Sequence, residues 1–353
     1  MSFNRVRWTR RRATALTISG AVVGTTLAVF GIVAFIAVHK TDRAGVILTR
    51  PPLDVPAQPT ATPSSTASAA LPTASPAQSA SASANPGRSG TSSAAGGPVR
   101  WPNAGNTGVP TGKALKKTGD VRVIRNGALV DGLDVRGMII VEANNVTIKN
   151  TRLTNADTSV WGIVQQTRFS GLVVQDSEIR GNGSQQMQQG ILNLGGGLTV
   201  RRTDISQVAD GVATNQGLIE DCYLHDPKAF DGDHVDMIQA TSGPDDGKSL
   251  VIRHNTVIND LDQTSALALF QDFGVAHDVL VVNNYLAGGG YTVYGGEGDK
   301  GTSRNIRFEH NTFGRDVYAN GGKWGPVAHF DSNGPGNTWI GNVWAGTGAA
   351  VTA

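Results

Sequence analysis

The chain has a single cysteine, Cys222, in 353 residues. One thiol excludes an intramolecular disulfide framework and a cysteine-based zinc site. Charge is also scarce. Asp, Glu, Lys and Arg make up 16% of the chain, against about 25% in an ordinary soluble protein. Glycine is abundant, with 45 residues, nearly twice the usual ~7%. This balance argues against a coiled coil, a helical bundle and a wholly disordered chain, and favours a turn-rich β protein. The formal charge of +2 hides an asymmetry. Residues 1–50 carry seven Arg and one Lys against one Asp, residues 51–99 are neutral, and residues 100–353 carry 21 basic and 26 acidic side chains. The basic pI therefore comes from the N-terminus and does not point the main domain toward nucleic acid.

Three segments suit three environments. Arg5, Arg7, Arg10, Arg11 and Arg12 open the chain, and 26 uncharged residues follow, from Ala13 to Val38. About 20 apolar residues suffice to span a bilayer. The basic cluster before the run orients the amino end in the cytoplasm. The expectation is a cytoplasmic tail at 1–12 and an uncleaved signal-anchor at 13–38; a cleaved signal would make the protein secreted. Residues 39–99 read as a Pro/Ser/Thr/Ala-rich disordered linker. Nine of the fifteen prolines and no Phe, Trp or Tyr lie within 51–98, so it cannot bury enough apolar area to offset its ordering entropy. Such a stalk spans on the order of 40 Å. With no C-terminal anchoring signal visible, the N-terminal helix is the expected tether.

From Trp101 onward an eight-residue unit recurs, with apolar residues usually at its first, third and last positions. It reads VTIKNTRL at 146–153, LVVQDSEI at 172–179, LTVRRTDI at 198–205 and GLIEDCYL at 217–224. It continues as LVIRHNTV at 250–257, VLVVNNYL at 279–286 and IRFEHNTF at 306–313, with a degenerate NTWIGNVW at 337–344 and an opening ALVDGLDV at 128–135. Alternation of period two means strands with one buried face. Start-to-start steps of 18 to 33 residues are too irregular for a propeller and suit a parallel β-helix, in which insertions leave through the turns. Second strands open with Gly and an apolar residue, as in Gly162-Ile163, Gly190-Ile191 and Gly211-Val212. The expected fold is all-β, a right-handed parallel β-helix of about nine rungs over 100–353, roughly 43 Å long at about 4.8 Å per rung.

The register also separates architecture from chemistry. Asn255, Asn284, Asn311 and Asn342 share one position in four consecutive units and are expected to form a hydrogen-bonded ladder. His254 and His310, one residue earlier, read as structural. Cys222 shares the asparagine position and reads as a packed thiol. Gly195–Gly197 and Gly288–Gly290 read as tight turns, since no Lys-Ser/Thr follows them. Trp324, Trp339 and Trp344 are expected to close the last rung, whose bare edge would otherwise invite aggregation.

These eight-residue units with Asn-rich turns resemble the right-handed parallel β-helix proteins of the pectin-lyase-like superfamily. The opening Trp101–Pro110 (WPNAGNTGVP) and the blocks Ala266–Gly274 and Gly288–Tyr294 are similar to β-helix domains of membrane-anchored or secreted actinobacterial proteins. The resemblance implies a fold over about 250 residues and a choice among carbohydrate lyases, hydrolases, epimerases and binding proteins, which fold alone does not make. The epimerase-type Asp-Pro-His-Glu is missing, because Lys228 follows Asp226-Pro227.

The densest polar stretch is Asp231-Gly232-Asp233-His234-Val235-Asp236. Three carboxylates and an imidazole are costly to bury without partners. Asp231, Asp233 and Asp236 offer hard oxygen ligands for calcium. Paired carboxylates would also serve glycoside hydrolysis, with Asp233 and Asp236 as acid and base and His234 as proton carrier. The alternative is that they satisfy turn amides. In a β-helix the strand from Asp236 should neighbour 267–271 on the next rung and 291–294 on the one after. That places Gln239, Gln271, Asp272, Tyr291 and Tyr294 in one lateral groove as sugar-binding candidates, with tyrosine rings to stack on sugars. The functional expectation is a membrane-tethered extracellular β-helix that binds and in one version cleaves a polysaccharide, as a lyase or glycoside hydrolase. The alternative is a non-catalytic glycan-binding or structural surface module. The expected partner is a polysaccharide or cell-envelope glycan, and calcium is the one cofactor in view.

Overall fold

The computed structural model describes residues 100–156 and 160–353. The expected cytoplasmic tail, signal-anchor and linker lie outside the described residues. Among the described residues no helix occurs, and 28 strands form three sheets. The chain visits the sheets in strict rotation. Sheet 1 has ten strands, from Lys116–Thr118 to Val343–Trp344. Sheet 2 has nine, from Val121–Val123 to Gly325–Ala328, and sheet 3 has nine, from Leu129–Asp131 to Thr338–Ile340. Each strand pairs in parallel with its equivalents one turn earlier and later, as in Leu198↔Leu172 and Leu198↔Gly217. This stacking of parallel strands in three sheets is the arrangement of a parallel β-helix.

The eight-residue unit is not one strand but two strands around a corner. In all nine copies the second to fourth residues end a strand of sheet 3 and the last two lie in a strand of sheet 1. The fifth residue turns the chain. It is Gly132, Asn150, Asp176, Arg202, Asp221, His254, Asn283, His310 or Gly341, with φ between 43° and 72°. That left-handed conformation costs a side-chain-bearing residue energy, and Asn, Asp and Gly tolerate it best. The corner explains why the apolar positions run first, third and eighth: the step from third to eighth is odd, so a continuous strand would put them on opposite faces. Buried side chains from the three sheets meet in one core. Sheet 3 contributes the column Val174, Val200, Ile219, Ile252, Val281 and Phe308, none measurably exposed. Each such side chain contributes about 1.5–3 kcal/mol by leaving water.

The sixth position lies inside the corner. Asn255 Nδ2 donates to Asn284 Oδ1 at 2.9 Å, Asn284 Nδ2 to Asn311 Oδ1 at 2.9 Å and Asn311 Nδ2 to Asn342 Oδ1 at 2.9 Å. Each amide oxygen also accepts the backbone N–H of the rung before, from Cys222 N to Asn255 through Asn311 N to Asn342. The expected ladder is therefore present and its members are fully buried or nearly so. Cys222 continues it. Its thiol donates to Glu220 O at 3.1 Å, and burial pushes its pKa up to about 12, so it is no nucleophile. His254 bonds to Asp221 at 2.6 Å and stacks on Trp101, as a structural residue does.

The C-terminal rung is closed by aromatic rings. Trp339 packs on Phe308, Phe313 and Phe330, and its Nε1 donates to Val351 O at 2.6 Å. Trp344 packs on Phe313 with the Arg315 guanidinium 4.0 Å from its ring. Trp324 takes no part: it is 66% exposed beside the Tyr291 strand.

Candidate functional site

The site grows from sheet 2, where polar residues replace the apolar pattern on consecutive strands. Trp161 pairs with Gln189, Gln189 with Asp210, and Asp236 with Ser265. The Val212↔Ile238 register sets Asp210 beside Asp236. Adjacent strands are about 4.8 Å apart, so the two carboxyls occupy neighbouring rungs.

Loop length decides how exposed they are. The loop before Asp210, residues 207–209, is three residues long, while the equivalent loops on either side, 181–188 and 226–235, have eight and ten. The two long loops bond to each other across the short one, Gln186 Nε2 donating to Asp233 Oδ1. Asp233 Oδ2 also accepts the Phe230 N–H at 2.7 Å. Under this clasp Asp210 is 5% exposed and Asp236 not at all.

Buried carboxyls need donors. Asp210 accepts from the Asp236 N–H at 3.0 Å and from Gln189 Nε2 at 3.0 Å. Asp236 accepts from Ser265 Oγ at 2.5 Å and Gln239 Nε2 at 3.3 Å. These bonds do not offset the loss of water. Burial first, then Asp233's charge among the raising causes, lifts Asp210 to about pKa 7. Burial and the Asp210 charge hold Asp236 well above the usual carboxylate range. Two like charges on neighbouring rungs cannot both ionise cheaply, so the pair holds a proton at neutral pH. The Gln189 side-chain oxygen, also buried, has no partner in the described structure.

Beyond Ser265 the column becomes aromatic. Tyr291 and Tyr294 meet edge to face at 5.8 Å, Tyr294 stacks on His329 at 5.7 Å, and Phe270 lies 5.5 Å from Tyr294. Burial and the Asp236 charge raise the Tyr294 phenol. Neither tyrosine hydroxyl bonds to a described residue, nor does the half-buried Asp272 carboxyl, which burial holds above its ordinary value. Asp272 also acts electrostatically on Asp236.

Several expected site residues thus come together and others do not. Asp233, Asp236, Gln239, Asp272, Tyr291 and Tyr294 share this face. His234 and Asp231 are exposed on the 226–235 loop, and neither bonds to Asp236, so the geometry assembles no His234 relay. The shared calcium cage expected of Asp231, Asp233 and Asp236 is not formed. Asp236 is spent on Ser265 and Gln239 and Asp233 on the clasp. Among the described residues no group of three His, Cys, Asp or Glu side chains is arranged to hold a metal ion. Gln271 does not face a ligand either. Its Nε2 donates to Gly296 O at 2.8 Å and Gly301 O at 3.0 Å, and its Oε1 accepts Lys300 N at 3.0 Å, so it ties down the 296–301 turn. His329 reaches the groove by stacking on Tyr294. Asp331 instead caps a turn through Asn333 N at 2.9 Å.

Sequence reasoning missed Asp210, Gln189 and Ser265. A signal existed for Asp210: it precedes the Gly211-Val212 strand opening as Gln189 precedes Gly190-Ile191, and sliding those openings into register with Asp236 would have paired the two aspartates. No family model, curated protein or solved structure matches the chain.

Proposed function

We propose that this protein is a membrane-tethered extracellular β-helix, right-handed and of the pectin-lyase-like kind, that binds a polysaccharide along the face of sheet 2. The observation that carries the reading is the run of half-buried side chains from Gln239 and Asp272 to the free hydroxyls of Tyr294 and Tyr291. Aromatic faces stack on the apolar faces of sugar rings, while hydroxyl, amide and carboxyl groups bond their edges. Strands repeat at about 4.8 Å, close to the length of one sugar residue, so successive rungs can meet successive rings. Placement outside the membrane rests on the Arg-rich start, the 26 uncharged residues and the Pro-rich stretch before residue 100.

A second reading adds hydrolysis of the bound glycan. It is favoured by the Asp210–Asp236 pair, because a carboxyl that keeps its proton near neutrality is what a glycosidic leaving group requires of its acid. In this reading the clasp between Gln186 and Asp233 opens to admit the substrate, and Asp272 is the ionised partner.

The test is affinity electrophoresis and product analysis with neutral and uronate polysaccharides. Tyr294→Ala is expected to weaken binding about tenfold or more, in line with about 1.4 kcal/mol for a lost stacking platform, in a protein that still folds but melts at a lower temperature because three ring contacts are lost. New reducing ends that vanish in Asp236→Asn would add hydrolysis. Absence of binding across the panel by a folded protein would overturn the polysaccharide reading.

A further inference from the structure

Sheet 3 carries an apolar outer face. The third position of the repeated unit lies in the core, so the second and fourth positions point outward. At the second position six consecutive rungs place Leu129, Thr147, Val173, Thr199, Leu218 and Val251 in one column. The outward side of a solvated sheet is ordinarily polar. This column holds no charge and no amide until Arg307, two rungs beyond Val251. Leu129 is 56% exposed and Ile124, at the adjoining corner, 72%.

The fourth position forms a second outward column beside the first. It runs Asp131, Lys149, Gln175, Arg201, Glu220 and Arg253. Its ion pairs link neighbouring rungs, Lys149 to Asp131 at 3.6 Å and both Arg201 and Arg253 to Glu220.

The order of these charges decides what fits the face. Consider a second copy turned about an axis along the strands, between the third and fourth rungs. Asp131 then opposes the partner's Arg253, Lys149 the partner's Glu220, and Gln175 the partner's Arg201. Every charge meets the opposite sign or a neutral amide. A slide of one rung in either direction sets Lys149 against an arginine, the partner's Arg201 or the partner's Arg253. Only the first register is complementary. The same turn lays Leu129 on the partner's Val251, Thr147 on the partner's Leu218 and Val173 on the partner's Thr199. At each end the corner loop 124–128, with exposed Ile124 and Arg125, meets the partner's loop 241–249, which exposes Asp246. Neither the Arg125 nor the Asp246 side chain has an ion pair or hydrogen bond among the described residues.

We propose that the outer face of sheet 3 is the interface of an antiparallel homodimer. A two-fold pair uses one self-complementary patch on both copies, and this column is self-complementary in one register. Six rungs of four residues make a face of roughly 29 by 13 Å, so two copies bury about 750 Å² over the strands. The corner loops bring the total to about 1,000–1,200 Å², the low end for a specific interface. The dimer is therefore reversible. It does not depend on the polysaccharide reading, whose groove lies on sheet 2.

The test is sedimentation velocity of the full chain in detergent over a concentration series, with spin-label distances from Leu280→Cys. The monomer is expected to pass reversibly to a dimer at micromolar concentrations. Val173→Asp/Leu218→Asp should remain monomeric with its strand circular dichroism retained. Arg125→Glu should weaken the dimer by about threefold or more, and Arg125→Glu/Asp246→Arg should restore it. Residue 280 lies one rung outside the contact. Its two labels should be about 35 Å apart, seven rungs along the axis and one intersheet gap across. A label distance near 10 Å would mean parallel copies and overturn the register. A dimer that survives the two aspartates, or a monomer at the highest concentration reached, would overturn the interface. Should the aspartate variant fail to fold, the Arg125 and Asp246 reversals, which alter no strand, decide: a dimer indifferent to Arg125→Glu would overturn the proposal.

Discussion

Two columns of buried polar side chains run along this molecule, and they handle burial in opposite ways. In the corner between sheets 3 and 1, Asn255, Asn284, Asn311 and Asn342 are neutral, identical and one rung apart. The first three amides each donate to the next, and the oxygens of Asn284, Asn311 and Asn342 each accept two bonds. Nothing in that column changes between pH 4 and 9. On sheet 2, Gln189, Asp210, Asp236 and Ser265 are dissimilar, two of them are ionisable, and one buried oxygen is unbonded. A polar column that satisfies itself with a repeated neutral group is architecture. One that buries like charges and leaves an acceptor idle is destabilising where it stands, and such sites are retained where chemistry or binding needs them.

The largest effect is expected from breaking the neutral column. Asn284→Ala removes the acceptor for Asn255 N and Nδ2 and the donor to Ile252 O and Val282 O. Several buried groups lose partners at once, so urea unfolding should show a loss of about 3–5 kcal/mol, with glycan binding by the remaining folded protein unchanged. A loss below about 1 kcal/mol would mean that the ladder contributes little beyond shape.

The acidic column should respond in the other direction. The folded Asp210 keeps its proton to about pH 7, whereas an unfolded aspartate releases it near 3.9. Between those values the folded state binds more protons, so stability falls as pH rises and stays lowered above pH 7. Asp210→Asn removes that loss. The Gln189 amide can then rotate so that its unbonded oxygen accepts from the new side chain. The expected gain is on the order of 3 kcal/mol at pH 8 and close to none at pH 4, read from unfolding curves at the two pH values. A variant less stable than the parent at pH 8 would show that the carboxyl pair is a stabilising feature and would erase the contrast between the columns.

The smallest effect sharpens the corner itself. His310 is exposed and holds φ of 54°, and its ring makes no hydrogen bond or ion pair to a described residue. His310→Gly relieves the left-handed conformation against the extra freedom of an unfolded glycine, for a net gain of at most about 1 kcal/mol. A loss would assign the histidine ring a role that its position in the repeat does not suggest.

Much of this was legible in the residues. The repeated apolar positions announced parallel stacking, and the recurring asparagines announced their ladder, because both follow from identical residues meeting across adjacent rungs. The corner was legible in part: the odd step from the third to the eighth position marks it, but alternation alone reads the unit as one strand. The groove partners of Asp236 were found by the same register argument. Asp210 was not, because it carries no motif of its own and acquires its character only from the neighbour above it. Gln271 was misread for the same reason. Its amide is committed to a turn formed by residues 25 to 30 positions later.

By itself the sequence determined the period, the strand faces and the neutral ladder, since these depend on local alternation and on like residues in register. Tertiary structure alone decided that two loops of unequal origin clasp over a third, and that a pair of aspartates is thereby sealed from water and holds a proton. Desolvation and charge coupling depend on what lies within a few ångströms in space, and loops eight and ten residues long place those neighbours in ways that no sequence spacing specifies.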